Sequence, residues 1–379
     1  MTESYGCIVM GLGGFGSGVL DSLAMRGVHV LGLEQFGIAH NRGSSHGETR
    51  IIRKAYFEHP DYVPLLKRAY DLWENLELDS GRTLKVECGL MIAGLPDSGA
   101  VSGARLSSEQ HRIPLENLSA REARSRFRGF HVPDEFEVAY ESQAGFLFVE
   151  DCIRAQSARA EKNGATIHLN ETVQRWRSHG QTVEVETDRG RYSAQSVVIT
   201  TGPWAGNVLR ELNIPLEVAR KPLFWHETVN LNHSLDRDCP AFFYELGEGE
   251  FYGFPSLEGS EIKVAQHTGG QTVSNPAMVN RDILPEDLPP IQKFLANCLP
   301  GVNTNPLRHS VCMYTRTPDC HFIVDCHPEH KNVVIGAGFS GHGFKFTTVL
   351  GEAMADLAMN GKTDLPIDFL SLSRESIQR

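Results

Sequence analysis

The chain has 379 residues and carries 36 basic against 47 acidic side chains, a formal net charge of −11. That balance opposes nonspecific attraction to polyanions, so neither nucleic acid nor an anionic membrane is expected as a partner. The length allows two or three folding units with a sizeable core, and 41% hydrophobic with 22% charged residues is ordinary for a globular protein.

The eight cysteines, Cys7, Cys88, Cys152, Cys239, Cys298, Cys312, Cys320 and Cys326, are scattered without C-x-x-C or zinc-like spacing. They predict no metal site and mostly reduced thiols. The first residues lack a basic n-region and no stretch reaches the length of a membrane span, so the expected location is the cytoplasm.

In chain order, the apolar run from Cys7 ends in glycines, continues as a helix to about Arg26, and is followed by a strand from Val28 to Glu34. This βαβ unit carries Gly11-x-Gly13-x-x-Gly16, with the acid Glu34 eighteen residues after the last glycine. The first glycine makes the turn, the second lets a pyrophosphate touch the backbone, and the third lets helix and strand pack. The helix N-terminus directs its positive dipole end at phosphate, and Glu34 suits a ribose hydroxyl. On this motif alone FAD and NAD remain tied.

Segments 165–169 and 196–200 read as further strands of the same sheet, the latter running on to Gly202. Between and after them lie stretches rich in alternation and aromatics, such as Glu250-Phe-Tyr-Gly-Phe-Pro and Glu261-Ile-Lys-Val-Ala-Gln-His, which suit an antiparallel sheet roofing a cavity. Residues 285–290 read as a loop before a helix at about 291–298. A second Rossmann-type piece appears at 331–345, a strand ending in Gly336, Gly338, Gly341 and Gly343, with an amphipathic helix from Phe346 to Met359. The expected fold is α/β: a Rossmann-like nucleotide domain from 1–85, 145–215 and 310–379, and a substrate domain with a largely antiparallel sheet from 86–144 and 216–309.

Three stretches carry a resemblance: Gly43-Ser-Ser-His-Gly-Glu-Thr-Arg-Ile-Ile-Arg-Lys-Ala-Tyr56, Cys312-Met-Tyr-Thr-Arg-Thr-Pro-Asp319 and Gly336-Ala-Gly-Phe-Ser-Gly-His-Gly-Phe-Lys345. With them the chain resembles, from its first Gly-rich turn to its last helix, the monomeric sarcosine oxidase group of flavoprotein amine oxidases. That group includes N-methyltryptophan oxidase and pipecolate oxidase. The resemblance implies FAD joined through its 8α-methyl to the sulfur of Cys312, oxidation of a secondary amino acid at its C–N bond to an imine that hydrolyses, and O2 reduced to hydrogen peroxide. It implies a monomer whose partners are a small amino acid and O2. The FAD-binding residues it implies are Gly11, Gly13, Gly14, Phe15, Gly16, Glu34, Gln35, Ser44, Ser45, His46, Arg50, Val173, Gly202, Trp204, Cys312, Met313, Gly338, Phe339, Gly341, His342, Gly343, Phe344 and Lys345.

The resemblance also assigns roles. Arg53 and Lys345 bind the substrate carboxylate, whose desolvation only fixed cations or several donors offset. Arg50 packs near the flavin and favours its reduced, anionic form; were the segment helical, Arg50 and Arg53 would share a face, and a salt bridge from Arg50 to Glu48 is the plainer alternative. Lys263 is held near the flavin through water and stabilises the anion formed as O2 is reduced, although a strand lysine in isolation is more often solvated. Strand alternation sets Lys263, Ala265 and His267 on one face, which brings His267 toward the same cavity as a third catalytic candidate. Tyr252 and Tyr314 read equally as cavity wall or as core aromatics.

The chain departs from bacterial sarcosine oxidases at Ser45-His46, where those carry two adjacent histidines. Gly-Ser-Ser-His, Gln35-Phe36 and Lys54 lean toward the pipecolate oxidase branch, which points to cyclic or larger N-alkyl substrates. Besides an oxidase of N-methyl amino acids, the sequence therefore leaves open an oxidase of pipecolate or proline, a flavin dehydrogenase using another acceptor, and a noncatalytic nucleotide-binding module.

Overall fold

A computed structural model describes residues 3–377. Its first sheet has a parallel core in the order Thr166–Leu169, Val30–Glu34, Glu3–Met10, Arg191–Ile199 and Val333–Ala337. Beyond Arg191–Ile199, on the edge away from Glu3–Met10, the sheet forks into two antiparallel extensions: Val183–Thr187 and Val173–Ser178 pair along the first half of that strand, and Ile323–Cys326 adds to Val333–Ala337 along its second half. The central strands are buried on both faces, Glu3–Met10 over its last four residues and Val30–Glu34 throughout, which is why they read as near-continuous apolar runs.

Helix Gly14–Met25 leaves the first strand through the glycine turn and packs against helices Thr347–Asn360 and Val149–Lys162. Gly11 has φ +88 and a Cβ on Gly16 would lie 1.7 Å from the Gly11 carbonyl oxygen, so the turn tolerates no side chain at either place. Two helices then touch backbone to backbone: a Cβ on Gly351 would stand 2.5 Å from the Gly18 carbonyl carbon. Helix Tyr62–Ser80 follows from its spacing, with Tyr62, Val63, Leu66, Ala69, Tyr70 and Trp73 on one buried face and Gly81 closing it at φ 64.

The second sheet runs Val302–Arg316, Glu217–Thr228, Glu261–Gln266, Gly249–Phe254, Ala241–Leu246, Leu90–Gly94, Glu137–Glu141, Glu116–Ser119. It is antiparallel except where Ala241–Leu246 meets Leu90–Gly94. Its outer face is closed by a cluster that includes Phe130, Phe242, Phe251 and Phe294. Its edge strand spans residues 309 and 310 without interruption, so Cys312 hangs from this sheet and pairs in register with Lys221.

Two local expectations change. Residues 49–52 form strand Thr49–Ile52, paired with Gly145–Phe148, instead of a helix. Arg50 therefore lies within a strand and Arg53 just beyond its end, and the two share no helical face; pairing with a distant segment overrides the local pattern. Helix Leu288–Cys298 starts within the expected loop because prolines are accepted in the first turn, where N–H groups have no partner in the helix. Among the described residues no helix is long and apolar enough to cross a membrane.

The Gly18–Gly351 contact predicts that Gly351→Ala destabilises the fold by about 1–3 kcal/mol through overpacking, despite alanine's better helix propensity. Urea unfolding of the variant would show a lower midpoint, and an unchanged midpoint would mean that the helices separate at no cost.

Candidate active site

A cavity of about 820 Å³ runs from the first glycine turn to the inner face of the second sheet. Along one arm its wall is Gly11, Gly13, Gly14, Phe15, Glu34, Gln35, Val173, Gly202 and Trp204; at the other end stand Ser44, Ser45, Arg50, Arg53, Tyr252, His267, Met313, Tyr314, Gly338, Phe339, Gly341, His342, Gly343, Phe344 and Lys345. Four expected residues stand off the wall. Gly16 packs against Gly11. His46 is buried with Nδ1 3.3 Å from Ser310 Oγ. Cys312 is fully buried, its Sγ donating to the Ser44 carbonyl at 3.0 Å and accepting from Arg50 at 3.2 Å. Lys263 lies behind segment 47–49.

The first arm fits a dinucleotide. Helix Gly14–Met25 has no side-chain cap from its N-cap Gly13; the Gly14 N–H reaches Ser45 Oγ at 3.3 Å, and the next N–H groups of the first turn face the space a phosphate would take. A Cβ on Gly13 or Gly202 would meet no protein atom within 4 Å, so the space before these backbones is open. Glu34 accepts from Leu12 N at 2.8 Å and Phe36 N at 2.9 Å and keeps lone pairs for a ribose hydroxyl. Buried polar atoms along the cavity lack partners in the protein, Thr201 Oγ1 and Thr315 Oγ1 among them, as expected where a bound group completes them. Among the described residues, no group of three or more metal-ligating side chains is gathered.

At the second end the charges are explicit. Arg53, 3% exposed, ion-pairs with Glu58 through a short contact and lies 3.9 Å from the centroid of the Phe57 ring, while its Nε has no partner. Lys345, 4% exposed, donates to the His342 carbonyl at 2.7 Å. Burial, aided by Arg53, pushes the Lys345 ammonium down to about 7. Burial alone would raise the Glu58 carboxyl, but Arg53, His342 and Lys345 outweigh it and bring it down to about 2. Glu58 is thus an internal carboxylate beside the expected substrate cations. No local pattern marks it, since it sits in an aperiodic turn five residues past Arg53. Phe57 and Phe243, stacked obliquely at 4.8 Å, also line the cavity and were not expected.

The aromatic wall is neutral. His267 contacts the Tyr314 hydroxyl at 3.3 Å through Nδ1, and burial followed by Lys221 pushes its imidazole down to about 3. His342 is engaged at both nitrogens, Nδ1 with the Tyr56 hydroxyl at 2.6 Å and Nε2 with the Cys320 carbonyl at 2.9 Å, a network that fixes the Nε2–H tautomer. Tyr252 and Tyr314 are both buried and both on the wall, so each serves core and cavity.

Of the pair Lys263 and His267, only His267 reaches the wall. The Lys263 ammonium is held by the carbonyls of Gly47 at 2.5 Å and Thr49 at 2.7 Å, and burial followed by Arg50 lowers its pKa well below the ordinary lysine value. Arg50 makes no bridge to Glu48. It donates to the carbonyls of Thr49 at 2.8 Å and Ser44 at 3.0 Å, while Glu48 takes Arg308 and the Trp225 indole.

A glycine-turn nucleotide arm joined to a cation-lined chamber under an antiparallel sheet defines a flavin-dependent oxidoreductase. The chain belongs to the FAD dependent oxidoreductase family (DAO), whose profile matches residues 7–357. It is 38% identical to a monomeric sarcosine oxidase of Bacillus sp. (strain B-0618), covering 100% of this chain and 98% of that protein. It is 35% identical to an N-methyl-L-tryptophan oxidase of Yersinia pestis, covering 98% and 99%. Among solved structures, NikD, an unusual amino acid oxidase, superposes with a TM-score of 0.86 at 26% identity over 98% of both chains. L-proline dehydrogenase from P. horikoshii shares the fold, with a TM-score of 0.82 at 22% identity over 98% of this chain and 97% of that one.

The state of Lys345 predicts a pH dependence for anion binding. A carboxylate ligand restores the ammonium toward its ordinary range, so binding takes up a proton above about pH 7. The Kd of a small carboxylate should therefore rise with pH, up to about tenfold per unit. Lys345→Met should weaken binding at pH 6 by about 2 kcal/mol, roughly thirtyfold, and flatten the profile. Titrations that perturb flavin absorbance would measure both, and a profile that survives Lys345→Met would move the proton to another group.

Proposed function

We propose that the protein is an FAD-dependent oxidase of secondary amino acids, N-methyl amino acids in the first place, that turns the C–N bond into an imine and passes the electrons to O2 as hydrogen peroxide. The observation that carries this reading is the convergence of Arg53 and Lys345 on one chamber that also receives the glycine turn and, behind Met313 and Tyr314, the strand of Cys312. Two cations at one end bind a carboxylate, and neutral rings at the other accept an apolar substituent. The names of the relatives, sarcosine and N-methyl-L-tryptophan oxidases, support the class of substrate.

Bound FAD would supply the two-electron acceptor, held by the glycine turn, Glu34 and the 338–345 segment and joined to Cys312 Sγ as 8α-S-cysteinyl FAD. The chain's own groups do the rest. Arg53 exchanges Glu58 for the substrate carboxylate and so fixes the amine end against the opposite wall. His267, neutral and hydrogen-bonded to Tyr314, presents no positive charge to the amine, and the amine must lose its proton before its lone pair can be withdrawn. Arg50, beside the attachment point, stabilises negative charge arising there. Lys263, caged by carbonyls, puts an ammonium where O2 acquires charge. A monomer in the cytoplasm is the working form that fits this reading.

Anaerobic mixing with sarcosine, N-methyltryptophan, pipecolate and proline should bleach the flavin with at least one of them, at a rate that rises with pH through the ionisation of the bound amine. No bleaching by any secondary amine would remove the proposal. Under air, one peroxide per amine marks an oxidase, and a yield far below that a dehydrogenase. Wild-type protein precipitated with acid should keep its yellow colour in the pellet, whereas Cys312→Ser should release it.

A further inference from the structure

Three segments meet at Cys312: the loop through Ser44, the edge strand Val302–Arg316, and a strap at 279–283 that follows the sheet strand Glu261–Gln266. The strap is anchored from below. Arg220, 2% exposed, donates to the Asn280 carbonyl at 2.8 Å and to the Asp282 carbonyl, and pairs with Asp287 at 2.7 Å. Between those two carbonyls Arg281 turns outward and splits its guanidinium. One nitrogen donates to the Val311 carbonyl at 2.6 Å and the other to the Arg42 carbonyl at 2.7 Å.

These acceptors are one residue before Cys312 and two residues before Ser44, whose carbonyl takes the Cys312 thiol. The Val311 carbonyl has no strand to supply its donor. Val311 pairs in register with Pro222, which has no N–H, and on its other side the strand is the edge of the sheet. Arg281 fills that gap and ties the cysteine strand to the loop at the same time. The His309 ring, 3.1 Å from the Arg281 carbonyl, fixes the strap from the strand side.

We propose that Arg281 is a positioning residue for flavin attachment: it staples the strand of Cys312 to the 42–46 loop and so sets the sulfur against the edge of the ring system. This rests on the reading that Cys312 is the attachment point. Attachment forms a bond from Sγ to the 8α carbon and breaks one S–H and one C–H bond; two electrons and two protons leave through the ring to O2, giving hydrogen peroxide. A carbon–sulfur bond of this kind forms only within a narrow range of approach, and a displacement of about 1 Å in reacting atoms costs up to roughly a hundredfold in rate.

The test uses full-length protein produced under riboflavin limitation and then given FAD. The flavin that stays with the polypeptide after acid precipitation is followed in time, beside the total flavin bound and the thermal midpoint. Arg281→Met should slow covalent attachment by about tenfold or more while total FAD bound and the midpoint stay near wild type; Arg281→Lys, with one donor head, should recover part of the rate. Attachment at the wild-type rate in Arg281→Met, or attachment, total binding and midpoint falling together in both variants, overturns the staple. Covalent flavin retained by Cys312→Ser, or none in wild type, overturns the attachment reading and the staple with it.

Discussion

Positive charge kept out of water is the constraint on which this structure turns. Arg53, Lys263 and Lys345 are each 3–4% exposed, in a chain whose overall charge is −11. Enclosing such groups costs several kcal/mol apiece unless their protons find acceptors. The fold answers with backbone carbonyls: Gly47 and Thr49 for Lys263, His342 for Lys345. Carbonyl dipoles solvate an ammonium without neutralising it. Among the described residues, Glu58 is the carboxylate that pairs with Arg53. The chamber therefore retains an attraction for one more anion.

The geometry behind this charge comes from the junction of two sheets. The parallel sheet delivers the glycine turns, one after Glu3–Met10 and one after Val333–Ala337, whose strands are both neighbours of Arg191–Ile199. The second sheet delivers Lys263 and His267 from the strand Glu261–Gln266 and the residue after it, and Cys312 from the edge strand Val302–Arg316. Segment 43–56 crosses between them and touches nearly every component: Ser44 receives the Cys312 thiol, Thr49 and Gly47 hold Lys263, Arg53 reaches Glu58, and Tyr56 orients His342. Its backbone is pinned in turn, since Gly47 and Glu48 donate to Glu150 at the start of helix Val149–Lys162. Glu48 sits at φ 71, a conformation that this surrounding network holds in place.

Much of this was legible in the sequence because it is written locally. The first glycine turn is a steric requirement of three positions in one βαβ unit, and Gly16 against Gly11 shows why no other residue serves. The strands ending at Glu34 and Ile199 read correctly as parallel-sheet strands because burial on both faces leaves an apolar run, although the second ends three residues before Gly202. What did not read were contacts made between distant segments. The 49–52 strand depends on 145–148, so a three-residue spacing of arginines suggested a helical face that does not exist. Glu58, Lys221 and Arg281 carry no local pattern at all; Lys221 and Arg281 bond to segments 28 or more residues away along the chain, and Glu58 lies in a turn without period. Lys263 was legible as a residue but not as a setting, because segment 47–49 that covers it lies more than two hundred residues earlier.

The architecture alone does not choose an electron acceptor, since the same fold carries an amino acid oxidase and a proline dehydrogenase. On the reading proposed above, the choice sits in local electrostatics at the acceptor side of the chamber, where Lys263 is buried without a direct carboxylate partner. An ammonium already paired with a carboxylate presents little net field, whereas one solvated only by carbonyls and a hydroxyl keeps most of its charge available to an anion formed beside it. Glu48, the nearest acid in sequence to its carbonyl cage, is instead occupied by Arg308 and the Trp225 indole. That diversion leaves the Lys263 side chain bonded to the Gly47 and Thr49 carbonyls and the Thr49 hydroxyl, with no direct carboxylate partner.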